Sequence, residues 1–185
     1  MTTNNAMLDI ETLSTRADGV ILSIGAVHFN LDTGNVNPDG FYQQVSLENN
    51  LKIGRFVDAD TLKWWMSQPE DARTASFSGV MPLVSVLQDL RQWLVSFGVD
   101  EHGVPSINPW GNGASFDLVM LSHAAACTGV GKLWQHWNER CFRTLKNMPG
   151  AERVAKPKNA LPHHPMADAY SQAVHACMIW KEIFA

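Results

Sequence analysis

Asp9 and Glu11 stand two residues apart in the run Ala6 to Leu13, which reads Ala-Met-Leu-Asp-Ile-Glu-Thr-Leu. In a strand, alternate side chains share a face. Both carboxylates therefore emerge side by side, with Ile10 turned the other way. Two carboxylates so placed repel unless a proton or a cation lies between them. Oxygen-only ligands favour Mg²⁺, Mn²⁺ or Ca²⁺ over zinc. A lone Asp-x-Glu on a strand is more often a solvated edge than a metal site, so the reading needs carboxylates from elsewhere. Asp117 follows the turn Trp110-Gly111-Asn112-Gly113, Asp168 lies near the start of the last predicted helix, and His163 precedes Asp168 by five residues. Four carboxylates around one point would hold two divalent ions about 3.5–4 Å apart. In phosphodiester hydrolysis one ion orients the attacking water and the other stabilises the leaving oxygen. A base must still take the water's proton. His163 is the candidate, because an imidazole titrates near pH ~6.5.

The elements that must position these groups follow from the pattern. Residues 6–13 and the β-branched run 20–30 predict two strands, Asp32-Thr33-Gly34 a turn, and 41–47 a third strand. Together they predict an antiparallel meander. Residues 58–68 predict a helix capped by Asp58 or Asp60, and Pro69 ends it or opens the next. Residues 82–97 carry Val84, Leu87, Leu90, Trp93, Leu94 and Phe97 at helical spacing, a core stripe. A short strand over 107–111 leads into Gly-Asn-Gly, after which Ser115 is the candidate cap of a helix through Asp117 and Leu121. A short helical piece and a last strand at 141–145 follow, then an irregular basic stretch, 147–162. Pro165 suits the first turn of a closing helix over 166–184. Strands that start antiparallel and then alternate with helices predict one α/β domain over 1–185, with a mixed sheet flanked by helices. In such sheets, strand ends and helix starts meet where sites form.

A chain of 185 residues with seven Trp is long and apolar enough for a sizeable core. The net charge of −4 excludes a simple basic nucleic-acid binder, though an enzyme on nucleic acid can concentrate positive charge locally. Cys127, Cys141 and Cys177 are odd in number and far apart, which argues against a disulfide framework or a zinc ribbon. No secretory signal and no membrane-length apolar run are visible, so the expected compartment is the cytoplasm, with no membrane partner.

Asp9-Ile-Glu11-Thr12, Asn112-Gly113-Ala114-Ser115-Phe116-Asp117 and His163-x-x-x-x-Asp168 resemble the three motifs of the DnaQ-like, or DEDDh, 3′→5′ exonucleases. The resemblance covers nearly the whole chain with the motifs in order. Thr61-Leu62-Lys63-Trp64-Trp65 and Arg143-Thr144-Leu145 further resemble phage and prophage exonucleases and a related bacterial exoribonuclease group. The resemblance implies an RNase H-like fold and a hydrolase that releases nucleoside 5′-monophosphates from the 3′ ends of single-stranded DNA or RNA, or from 3′ overhangs. It implies Asp9, Glu11, Asp117 and Asp168 as ligands of two Mg²⁺ ions, for which Mn²⁺ can substitute, and His163 as the base. Thr12 and Leu13 would lie beside the terminal nucleotide, with Asn112 and Trp64 as further substrate contacts. Gly113 stands where many relatives have Asn, and Pro165 where a small residue is frequent; both bear on substrate packing and neither removes a ligand. The phage-like features favour DNA, with an exoribonuclease as the alternative. Many relatives are dimers, so the resemblance admits a homodimer.

Blander readings stand beside these. Asp117 can simply cap a helix, which its company with Asp9, Glu11 and Asp168 argues against. His164 is out of register with Asp168 by one and reads as a loop residue. His28, His123, His136 and His175 read as structural or surface residues. Adjacent Trp64 and Trp65 face different ways on a helix, so at most one can stack on a base. Arg143, Arg153, Lys156 and Lys158 are candidate phosphate contacts in segments that more often are merely solvated. A non-catalytic binding module that kept the fold, or a phosphoesterase on small nucleotides, are the competing functions.

Overall fold

The computed structural model describes residues 4–113, 115–159, 161 and 163–184. The chain opens with three strands, β1 (Asn5–Thr12), β2 (Ile21–Phe29) and β3 (Phe41–Gln44), paired antiparallel in succession. Four helices follow: α1 (Leu47–Lys52), α2 (Ala59–Met66), α3 (Glu70–Phe77) and α4 (Leu83–Val95). The chain then alternates through β4 (Asn108–Gly111), α5 (Asp117–Thr128), β5 (Arg140–Cys141), α6 (Phe142–Lys146) and α7 (Pro165–Phe184). The sheet order is β3-β2-β1-β4-β5, with β4 parallel to β1 and β5 parallel to β4. This is the mixed, helix-flanked sheet that the strand pattern predicts. Among the described residues no helix is long and apolar enough to cross a membrane.

Both faces of β1 are covered, so the strand is apolar almost throughout and its carboxylates are exceptions to be explained. Ala6, Leu8 and Ile10 pack with Ile24 against Leu83, Leu87, Leu90 and Leu94 of α4 and against α5. Met7, Val27 and Phe29 on the other face pack against Ala169, Ala173 and Ala176 of α7. Small alanines let α7 lie close to the sheet. Trp65 is buried with Leu13, Val20 and Leu22, and its indole N–H donates to the Thr12 carbonyl at 2.8 Å. That bond ties α2 to the end of β1.

Several boundaries differ from the sequence expectation, each for a local reason. The third strand stops at Gln44 because Ser46 caps α1, its hydroxyl accepting from the Asn49 N–H. The stretch expected as a strand over 141–145 is only two residues of strand, Arg140–Cys141, after which α6 begins and buries Phe142 and Leu145. Ser115 does not cap α5: Phe116 holds the cap position with no side-chain bond, and Ser115 is exposed. Asp58 caps α2 as expected, accepting from the N–H groups of Asp60 and Thr61. The three cysteines are free thiols.

Candidate active site

β1 and β4 pair only over Asn5–Met7 and Asn108–Trp110. Beyond Met7 the two parallel strands separate, at the place where the connectivity switches from one side of β1 to the other. Asp9 and Glu11 lie on β1 where this gap opens. Across the antiparallel ladder they face Gly25 and Ser23 of β2. The first turn of α7 crosses that same face and delivers Asp168. Oxygen atoms of Asp9, Glu11 and Asp168 all lie within 4.8 Å of one another. Asp117, the first residue of α5, is buried beside this trio. Its carboxylate accepts from the Asn112 backbone N–H at 3.1 Å and is also held by the backbone of Ile10.

The electrostatics follow from that crowding. Burial, then the charges of Asp117, Glu11 and Asp168, push Asp9 well above the ordinary carboxylate range. Burial, then Asp168 and Asp117, push Glu11 up to about 8. Asp117 rises to about 6, chiefly through burial, despite its backbone hydrogen bonds and the nearby Arg143. Asp168 rises less far; burial raises it, while the His163 N–H, the His163 charge and Asn159 hold it down. A donor set of clustered carboxylates that resist ionisation together is one that a hard divalent cation would relieve. Two buried polar atoms nearby fit a cation with its hydration shell. The Ser23 hydroxyl, directly across the ladder from Glu11, and the Gln172 carbonyl oxygen, one turn past Asp168, have no partner among the described residues.

His163 lies at the mouth of the cluster. Its backbone is left-handed, with φ of 63°, and its N–H donates to Asp168 Oδ2 at 2.9 Å. Asn159 donates to the other oxygen of Asp168 at 2.7 Å. The His163 and Trp64 rings stand nearly perpendicular, centroids 5.0 Å apart and planes at 81°. Trp64 is 41% exposed and itself packs edge-on against buried Trp65. The two tryptophans thus divide as helix geometry requires, one at the site and one in the core. His164 packs against Tyr42, ring centroids 4.3 Å apart and planes tilted by 32°, and leaves its Nδ1 unpartnered among the described residues.

The sequence also pointed to residues that the fold uses otherwise. Leu13 is 1% exposed, packed against Trp65, so its side chain offers no surface to a nucleotide. The Thr12 hydroxyl donates to the Ser14 carbonyl and is buried. Asn112 is at the site, but as a scaffold for cations: Arg143 donates to its carbonyl at 2.8 Å and Lys146 reaches its side chain at 3.4 Å. Arg153 is paired with Glu182. His28 stacks on Phe97. Sequence reasoning passed over Gly25, Ser23, Asn159 and Gln172. The spacing of Gln172, four residues after Asp168 on one helix face, was the available signal.

Residues 4–180 match the family described as the 3′-5′ exoribonuclease Rv2179c-like domain. The chain belongs to that family. No protein of curated function matches its sequence. Solved structures share its fold. The nuclease domain of 3′hExo, a DEDDh family member bound to rAMP, superposes with a TM-score of 0.65 at 13% identity, over 98% of this chain and 94% of that one. Exonuclease I superposes with a TM-score of 0.66 at 13% identity, over 98% of this chain and 41% of that one. E. coli exonuclease I with single-stranded DNA gives 0.64 at 14%, over 99% and 41%. The chain thus spans less than half the length of these exonuclease I chains. The mixed, helix-flanked sheet is thus an RNase H-like fold shared with these nucleases.

Proposed function

We propose that residues 1–185 act as one two-metal exonuclease domain that removes nucleoside 5′-monophosphates from single-stranded 3′ ends. The observation that carries this reading is the convergence of Asp9, Glu11 and Asp168 within 4.8 Å, with Asp117 beside them and His163 anchored to Asp168. Asp9, Glu11, Asp117 and Asp168 would hold two divalent ions, Mg²⁺ or Mn²⁺. Bound there, such ions supply the positive charge that polarises an attacking water and neutralises the leaving oxygen. His163 takes the water's proton; its backbone is fixed by Asp168 and its ring is confined by Trp64. Arg143 and Lys146, both gathered on Asn112, place positive charge where a strand's phosphates would enter. Exposed Trp64 gives a face on which a terminal base can stack. The family's description weighs the substrate towards RNA, against the DNA favoured by the phage-like features.

The test is degradation of matched 5′-labelled single-stranded RNA and DNA with Mg²⁺, Mn²⁺ or EDTA. A metal-dependent ladder shrinking from the 3′ end, faster on RNA, is expected. No cleavage of either polymer by folded, metal-bound protein would overturn the reading. Replacing His163 with Ala is expected to lower kcat by about a hundredfold or more. His164→Ala should leave the chemical step near wild type; the reverse order would move the base by one residue.

A further inference from the structure

We infer that Gln172 is a positioning residue for Asp9, holding one carboxylate oxygen so that the other is presented to the cation. The inference rests on the reading of the acidic cluster given above. Gln172 lies one turn beyond Asp168 on α7, so both side chains project onto the same face of the sheet. Its amide Nε2 donates to Asp9 Oδ1 at 2.8 Å, across 163 residues of sequence. Among the described residues this is the hydrogen bond of the Asp9 carboxylate. Asp168 is held by Asn159 and by the His163 N–H, and Asp117 by the backbone of Asn112 and Ile10. The Ile10 N–H, next to Asp9 on β1, is taken by Asp117, and Asp9 draws its donor from a side chain on α7 instead.

The choice of residue supports the role. The amide oxygen of Gln172 is sealed from solvent without a partner among the described residues. In the metal-free protein that oxygen is a cost that an apolar side chain of the same length would not carry, and a hydrated cation at the cluster would relieve it. Methionine would fill this volume without that penalty. What methionine lacks is a donor. An ionised carboxylate has about four acceptor positions on two equivalent oxygens. A donor fixed on one of them sets the plane of the group, which is how outer partners orient metal ligands.

The experiment compares the full-length wild type with Gln172→Met, Gln172→Asn and Asp9→Asn. Methionine removes the donor at constant length; asparagine keeps it but withdraws it by one methylene. Mn²⁺ alone is titrated and free Mn²⁺ is read by electron paramagnetic resonance. Nuclease rates are measured in parallel against Mn²⁺ concentration. Both Gln172 variants are expected to bind Mn²⁺ about tenfold or more weakly than wild type. Their rates should recover towards wild type at high Mn²⁺, a rescue that a purely structural defect would not show. Wild-type Mn²⁺ affinity in either folded variant would overturn the inference. The titration reads Gln172 without any cleavage, so failure of the exonuclease reading would show separately, as a wild type that binds Mn²⁺ and hydrolyses neither polymer.

Discussion

Glu11→Gln is expected to raise the melting temperature of the metal-free protein at pH 8 while lowering nuclease activity to roughly one-thousandth of wild type or less. The two effects share one cause. Burial and the charges of Asp168 and Asp117 push the Glu11 carboxyl up to about 8 in the folded protein. In the unfolded chain it ionises near its ordinary value of 4.5. Below that value both states carry the proton and the group contributes nothing to pH dependence. As the pH rises towards about 8 the unfolded state loses the proton and the folded state keeps it, so the metal-free protein loses stability across this window. Above about 8 the loss is complete. Glutamine has the same shape and no charge, and should recover on the order of 3 kcal/mol at pH 8, which is roughly 6–12 °C for a chain of this size. Near pH 4.5 the variant and wild type should melt together. Adding Mg²⁺ or Mn²⁺ at pH 8 should stabilise wild type far more than the variant, because a cation replaces the proton as the group that relieves the cluster. Thermal melts in EDTA from pH 4.5 to 9, repeated with metal, make the measurement. Identical melting temperatures at pH 8 without metal would mean that Glu11 is not held protonated by its neighbours.

How far this site could be read from the chain depended on the range of the physics involved. The face shared by Asp9 and Glu11 follows from the period of a strand alone, and β1 and β2 fall within a residue or so of where their apolar runs predict. Asp117 and Asp168 were legible through the runs they close, Asn112 to Asp117 and His163 to Asp168, since acidic residues in a first helical turn are common in this chain. The local misreadings were competitions between neighbouring signals. The run Cys141 to Leu145 has strand-like residues, yet Phe142 and Leu145 are three apart and bury together on one face of α6. Ser115 is a favourable cap by type, but the chain reaches α5 through an irregular Phe116, and Asp117 itself takes the backbone bonds from Asn112 and Ile10. Leu13 continues the motif by sequence, while its side chain continues the core of Trp65. Asn159 and Ser23 were invisible, and Gln172 was marked only by its helical spacing from Asp168, for another reason. Their roles lie in contacts between segments up to 163 residues apart, which no periodicity encodes.

The same is true of Gly25, whose replacement by Ala should be among the most damaging changes outside the carboxylates. Gly25 lies in the interior of β2, directly opposite Asp9, and pairs with Tyr42 of β3 on its other side. A β-carbon there would overlap the backbone nitrogen of Met166 and stand 2.6 Å from the carbonyl oxygen of Pro165. Those atoms are helix backbone in the first turn of α7 and cannot rotate aside. The helix would have to retreat by about an ångström, and close-packed interiors resist such shifts. A glycine inside an apolar strand marks a place where another backbone comes close. Here the close approach brings Asp168, three residues past Pro165, to within reach of Asp9 and Glu11. Gly25→Ala should therefore cost about 2–3 kcal/mol of stability through overpacking. It should also lower kcat by roughly a hundredfold, the scale of loss from an ångström of misplacement at a reacting centre. At saturating Mn²⁺ and a temperature where the variant is fully folded, the stability loss no longer enters the rate. A rate still depressed under those conditions would assign the damage to the displaced Asp168. A wild-type rate would show that α7 can yield without moving the carboxylate, and would reduce Gly25 to a packing residue.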